Sequence, residues 1–193
     1  MSRKDVDLAP VVREERLIES LLDETIYPHP VDNISLLDTH ISWVILTGSF
    51  AYKIKKPVKL EFLDFSSLER RRHFCEEELR LNRRWTPDLY LEVVPICGSL
   101  EKPTIGGTDR PIAYAVKMVQ FPQSAKLDAQ LDASLLLDAD MIELAEMVAR
   151  QHGLAAVYAL PSAEAAVESI RHPMLENVEH LKSQLSEGEL QRL

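Results

Sequence analysis

The sequence has only two cysteines, and their positions argue against two common architectures. Cys75 and Cys97 form no CxxC motif and have no histidine or cysteine at metal-ligand spacing. A disulfide scaffold and a structural zinc site both require such patterns. We therefore expect two reduced thiols in a core and no metal site in this chain.

Basic residues are also in deficit, with 22 Lys and Arg against 31 Asp and Glu and a formal net charge of −9. Nucleic-acid binding requires a net basic face, so this balance argues against it. Two arginine clusters, 70–72 and 83–84, lie among acidic residues. This mixture is typical of a solvated helix face, and we expect both clusters to be exposed.

Long apolar runs are absent too. No window reaches the length of a membrane span, and the first residues are polar and charged instead of apolar. We therefore expect no membrane contact, no secretory signal and a cytoplasmic location.

The patterns that are present predict an α+β fold. Alternating apolar residues and Gly/Pro punctuation indicate a five-stranded antiparallel sheet and one inserted helix. A short amphipathic helix at 14–22 precedes the sheet, and four helices at 127–137, 138–152, 161–170 and 175–185 follow it, with Gly153 expected just after the second and Pro173 breaking the third. The strands are expected at 34–38, 41–46, 51–58, 91–97 and 112–119. The domain boundaries follow: an N-terminal helix and linker at 1–30, a sheet lobe at 31–122 and a helical segment at 123–193.

The inserted helix carries an unusual carboxylate. Ser66 and Glu69 have the spacing of a capping box, which predicts a helix from Ser66 to Trp85. At about 100° per residue, Glu78 falls in the middle of the apolar face, beside Leu81 and Trp85. A carboxylate in that position needs a cationic partner or several hydrogen-bond donors.

The strand before this helix offers a partner. The two-residue period places Ala51, Lys53 and Lys55 on one face. We predict an ion pair between Lys53 and Glu78. The alternative is that lysines on an edge strand are solvated and merely discourage aggregation.

Several longer segments in this region are similar to a known family. HISWVILTG at 40–48, AYKIKKPV at 51–58, FLDFS at 62–66 and CEEELRLNRR at 75–84 resemble a bacterial family of aminoglycoside-phosphotransferase-like proteins with a protein-kinase-like fold, some fused to a P-loop ATP-binding kinase domain. The similarity covers about residues 20 to 160.

The resemblance implies an ATP site in a kinase-like N-lobe. Ala51 would pack on adenine, and Lys53 would hold phosphates while paired to Glu78. The hinge that hydrogen-bonds the adenine edge would fall at Met118 and Val119, with Phe121 nearby. Without the resemblance, the hinge residues are explained equally well as the end of an ordinary strand that a proline terminates.

The sequence also departs from the family pattern. The turn at 38–40 has no glycine, so no glycine-rich phosphate lid is visible. No His-x-Asp motif occurs, and Asp64-Phe65-Ser66 lies upstream of the inserted helix, where a metal-binding Asp-Phe-Gly would not be. His152 stands where the family has a histidine, although a helix C-terminal dipole also favours one there.

We therefore expect the ATP-binding part of a small-molecule phosphotransferase, followed by a truncated helical C-lobe and lacking the catalytic loop. Its partners would be a nucleotide and an unknown small-molecule acceptor, with Mg²⁺ only in a full-length homologue. The alternative is a non-catalytic, kinase-like module that binds a protein partner. Exposed apolar residues on the later helices would favour this alternative, and ATP binding without a partner would favour the first.

Overall fold

A computed structural model of the chain describes residues 9–60, 62–157 and 159–181. These residues divide into two compact units, the first ending at Leu137 and the second beginning at Asp138. The short helix that follows the sheet therefore belongs to the first unit.

Among its described residues, the first unit has three α-helices and eight strands. The helices are α1 (Ala9–Ser20), α2 (Leu68–Asn82) and α3 (Leu127–Asp132), with 3₁₀ turns at Glu24–Ile26 and Gln123–Ala125. The strands are β1 (Ser35–Asp38), β2 (Ser42–Leu46), β3 (Phe50–Lys55), β4 (Lys59–Leu60), β5 (Leu63–Asp64), β6 (Tyr90–Gly98), β7 (Pro103–Ile105) and β8 (Ala113–Val119).

Six of the strands form one antiparallel sheet in the order β1-β2-β3-β8-β6-β7. The predicted antiparallel α+β arrangement is therefore confirmed, but the strand count is wrong. The prediction missed β7, which is only three residues long and lies in a polar connection. It also ran β3 on to Val58, whereas β3 ends at Lys55 and β4 and β5 form a separate hairpin. Pro57, which has no N–H to donate, follows the end of the strand closely.

One face of the sheet packs against α1. Leu17, Ile18 and Leu21 of α1 join Tyr52 and other buried residues of the sheet in one hydrophobic core. The alternation of β3 explains the choice of face, because Tyr52 and Ile54 point to this side and are each 1% exposed. Burial of this cluster is the main apolar contribution to the stability of the first unit.

The helix α2 packs against β6 and β8. Its N-cap is Ser67, whose hydroxyl accepts from Arg70 N at 3.2 Å, so the predicted cap at Ser66 is wrong by one position. The Ser66 hydroxyl instead donates to Asp64 Oδ1 at 2.5 Å. The predicted extension to Trp85 is also wrong, because regular helix ends at Asn82.

The inner face of α2 differs from the predicted apolar stripe. Arg71 and Cys75 are its buried residues, whereas Leu81 and Trp85 are exposed. The prediction that 70–72 is a solvated cluster therefore fails for Arg71, which pairs with the buried Glu14 of α1. Both Cys75 and Cys97 are free and buried, as expected, and burial raises the pKa of Cys75 to about 11.

The second unit contains α4 (Asp138–Leu154) and α5 (Ala163–Leu181). The predicted end of α4 is wrong, because the helix continues through Gly153. The predicted break at Pro173 is also wrong, because α5 runs through this proline as one helix. Among the described helices of both units, none has the length and apolar character needed to cross a membrane.

Candidate functional site

The site is built on the face of the sheet opposite α1. Strand β3 pairs with β2 on one side and β8 on the other, so it lies inside the sheet. Because side chains alternate along a strand, Ala51, Lys53 and Lys55 all leave the face that carries α2. The alternative reading of these lysines as residues on an exposed edge strand does not hold for Lys53 and Lys55.

Glu78 of α2 binds both of these lysines. Lys53 Nζ donates to Glu78 Oε1 at 2.7 Å, and Lys55 Nζ donates to Glu78 Oε2 at 2.6 Å. The predicted Lys53–Glu78 pair is thus present, but the sequence did not predict that each carboxylate oxygen has its own lysine. The side chains of Lys53, Lys55 and Glu78 are 30%, 6% and 12% exposed, so Lys53 is the lysine that solvent reaches.

The electrostatics of Glu78 follow from this arrangement. Burial by itself raises the pKa of the Glu78 carboxyl, but the charge of Lys53 and hydrogen bonds from both lysines outweigh burial and leave the pKa below its usual value. Lys55 Nζ also lies 4.9 Å from the centre of the Phe65 ring, within cation–π range. Glu78 is therefore held as a carboxylate, with Lys55 fixed behind it.

A cavity of about 350 Å³ opens beside Lys53. Most of its wall area is apolar, with polar side chains between the apolar ones, as is common in small-molecule sites. The apolar lining consists of Leu37, Ile41, Val44, Leu46, Ala51, Met118, Val119 and Phe121, and the polar lining of Thr39, Ser42, Lys53, Tyr90, Gln120, Gln123 and Lys126. Five of the six predicted cofactor residues line this cavity, and the sixth, Glu78, binds Lys53.

The end of β8 forms one edge of the cavity. Met118 lies opposite Ala51 in the strand register. After Val119 the chain leaves the sheet, and Gln120 ties this exit to the β2–β3 turn by accepting from Gly48 N through its side chain at 2.9 Å and donating to Ser49 O through its backbone at 3.0 Å. Gly48 suits the turn, because it has φ of +91° and an added Cβ would lie 2.7 Å from the carbonyl oxygen of Asp32.

The exit from β8 also leaves a backbone donor available. Val119 N donates to Leu89 O, and Pro122 has no N–H. Between them, Phe121 N has no hydrogen-bond acceptor among the residues that the structure describes. A ligand in the cavity could accept from this group, which lies two residues beyond Val119, whereas the hinge prediction named Met118 and Val119 and only placed Phe121 nearby.

Sequence reasoning missed several residues of the site. Lys55 shares the face of Lys53, and that spacing was the signal for its role. Tyr90 lines the cavity from the start of β6, and burial, then the charge of Glu78, raises the pKa of its hydroxyl. Gln120 and Lys126 gave no local signal, because the fold alone brings them to the cavity.

Other sequence candidates lie outside the cavity. The carboxylate of Asp64 accepts from Ser66 and pairs with Arg70 at 2.7 Å, so it organises the entry to α2. His152 is exposed on α4 in the second unit. Among the described residues, no three His, Cys, Asp or Glu side chains come together in a group that could hold a metal ion.

Comparison with known proteins gives relatives without a stated activity. No family model matches the chain, and no solved structure matches it. An uncharacterized protein of Mycobacterium bovis and two of Mycobacterium tuberculosis strains are each 33% identical to it over 133 residues. This region is 67% of the chain but 25% of each relative, so the chain matches about a quarter of the length of these proteins.

Proposed function

We propose that this chain binds ATP as the nucleotide-binding part of a small-molecule phosphotransferase with a kinase-like fold. The observation that carries the proposal is the convergence of Ala51, Lys53, Met118, Val119 and Phe121 on one cavity, with Lys53 bound to Glu78 of the inserted helix. The residues were assigned from sequence by their resemblance to a phosphotransferase family. That they line one concave, mostly apolar site supports the assignment.

The lining suits a nucleotide in two respects. Apolar walls around Ala51 and Met118 give a base an environment in which stacking and burial are favourable, and Phe121 N offers a hydrogen bond to its edge. Lys53 supplies a cation that is 30% exposed and so can reach phosphate oxygens. Since Lys55 also holds Glu78, Lys53 can turn to a phosphate without leaving that carboxylate unpaired.

Phosphoryl transfer itself needs groups that the family places in a His-x-Asp motif, and this sequence has no such motif. The reaction requires an aspartate that orients the acceptor hydroxyl and side chains that hold Mg²⁺. The Mg²⁺, when bound, would neutralise the charge that develops on the phosphates. The residues of this chain would bind and orient the nucleotide.

Equilibrium binding of ATP to the purified chain tests the proposal. We expect saturable binding that Lys53→Ala weakens about tenfold or more, because a hydrogen bond to a charged group is lost. Lys117→Ala is the matched control. Lys117 also pairs with a glutamate, Glu92, but it precedes Met118 and so leaves the opposite face of β8.

The result could contradict the proposal in two ways. Absence of saturable ATP binding would reject a nucleotide site in this chain. Equal ATP affinity in the wild type and Lys53→Ala would show that any binding occurs elsewhere.

A second candidate function, the protein-binding module, is favoured by a separate observation. Large apolar side chains are exposed on both helices of the second unit, including Ile142, Val167, Ile170 and Met174 at 60%, 61%, 66% and 62%. Three of them, Val167, Ile170 and Met174, line one groove on α5, and exposed apolar surface of this kind is typical of an interaction site. If this function is correct, the double substitution Ile170→Asp and Met174→Asp should abolish partner capture and leave ATP binding unchanged.

A further inference from the structure

A second cavity in the first unit is lined by more basic than acidic side chains. It measures about 680 Å³ and lies between α1, the start of α2 and the loop before β8. Three arginines line it, Arg13, Arg71 and Arg110, against one carboxylate, Glu14. We call it the arginine cavity. In a chain of net charge −9, this excess of positive charge is local and is not a consequence of composition.

Arg71 and Glu14 form the buried part of the arginine cavity. Their side chains are 8% and 10% exposed, and Arg71 Nη2 donates to Glu14 Oε1 at 2.5 Å. Arg71 Nη1 donates to the carbonyl oxygens of Phe65 and Ser66, so most of this guanidinium is already used. Burial raises the pKa of Glu14 although the charges of Arg71 and Arg13 oppose the change, as expected in a poorly solvated place.

Arg13 and Arg110 are in a different situation. Both are exposed, and neither has an acidic partner within 4.0 Å among the described residues. The charge of Arg110 reaches Glu69, but the two side chains form no ion pair. Within the part of the chain that the structure describes, these two guanidinium groups therefore have no carboxylate partner, and their fixed fork of donors matches the oxygens of a phosphate or carboxylate.

The rest of the lining is apolar. Leu17, Leu68, Leu100 and Ile112, together with Pro57 and Pro111, form walls on which an uncharged body can pack. The volume falls within the usual range of small-molecule sites, and the mixture of apolar walls with a few charged groups is typical of them.

We infer that the arginine cavity binds a small amphiphilic molecule with one oxyanion head, which Arg13 and Arg110 hold, and an apolar body against Leu68 and Ile112. Phosphate and carboxylate heads share this chemistry. The site is separate from the cavity beside Lys53, with no lining residue in common. The inference does not rest on the proposed nucleotide binding.

Calorimetric titration of the full chain with phenyl phosphate, benzoate and uncharged phenol tests it. We expect saturable binding of at least one of the two anions and none of phenol. The double substitution Arg13→Ala and Arg110→Ala should weaken anion binding about tenfold or more. Arg16→Ala is the matched control, because Arg16 is an exposed arginine of the same helix that lies outside the cavity and pairs with Glu101.

Three results would overturn the inference. The first is no saturable binding of either anion, and the second is equal affinity in the wild type and the double variant. The third is loss of anion binding in Lys53→Ala, which would place the anion in the other cavity. Retained anion binding in Lys53→Ala supports the inference whatever the outcome with ATP. Circular dichroism of each variant confirms that it is folded.

Discussion

Glu78 accepts from two lysines that differ in exposure, and this difference divides their roles. Lys55 is 6% exposed and lies against the Phe65 ring, whereas Lys53 is 30% exposed and lines the cavity. A buried lysine needs its carboxylate, because an unpaired charge in the interior is expensive. We infer that Lys55 fixes Glu78 and that Lys53 is the lysine free to engage a ligand.

This division of roles predicts that substitutions of Glu78 and Lys53 lower the free energy of unfolding by different amounts. Glu78→Ala leaves the buried Lys55 unpaired, so we expect it to lower the free energy of unfolding by roughly 3–5 kcal/mol. Lys53→Ala leaves Glu78 with Lys55, so its cost should be about 1 kcal/mol or less. Urea denaturation of the two variants measures both values. Equal costs would mean that Lys55 does not hold Glu78 independently.

The lowered pKa of Glu78 predicts a dependence of stability on pH. In the unfolded chain this carboxyl titrates near its ordinary pKa of 4.5, and in the folded chain it titrates lower. Its contribution to stability is therefore present above pH 4.5 and lost as the pH falls through the folded pKa. We expect the stability difference between the wild type and Glu78→Gln to shrink on acidification from about pH 7 to about pH 3. A difference that stays constant over this range would show that Glu78 is not held as a carboxylate.

At the scale of elements, α2 positions both Glu78 and Arg71, so the residue that caps it matters. The Ser67 hydroxyl accepts from Arg70 N and so satisfies one of the free donors of the first turn. Ser67→Ala should reduce the free energy of unfolding by about 1 kcal/mol.

Ser66→Ala is the natural comparison. Ser66 is exposed and its hydroxyl donates to Asp64 outside the helix, so we expect a smaller loss than for Ser67→Ala. Thermal denaturation monitored by circular dichroism ranks the two variants. A larger effect at Ser66 would support the capping box that the sequence indicated.

At the scale of the whole molecule, the features behind the two proposed functions lie in different units. The first unit contains the sheet and both cavities, and the second presents exposed apolar helices. Each relative extends well beyond the matched region, which is 25% of its length.

We predict that this chain by itself does not transfer phosphate at an enzymatic rate. Lys53 addresses only part of the charge that develops, and losing the metal-binding and hydroxyl-orienting groups commonly costs a hundredfold or more each. Incubation with labelled ATP, Mg²⁺ and a panel of small hydroxyl and amino compounds measures the rate. Robust turnover that disappears in Lys53→Ala would show that one of the aspartates of this chain is catalytic.

The sequence alone determined the antiparallel α+β character, the face shared by Ala51, Lys53 and Lys55, and the inward position of Glu78. These are local properties, because periods of 2 and 3.6 residues fix which side chains share a face. Local patterns also misled, for example at Pro173, where α5 is continuous, and at Arg71, which is buried against Glu14.

Only the tertiary structure decided which distant residues meet. Lys55 binds the second oxygen of Glu78, Gln120 reaches the turn at Gly48, and Arg13 and Arg110 come to one cavity across 97 positions of sequence. No local period encodes such meetings, since they depend on how α1, α2 and the sheet pack together. The physical reason is that a charged side chain is buried or paired according to its neighbours in space. The sequence pattern shows only that the residue is polar.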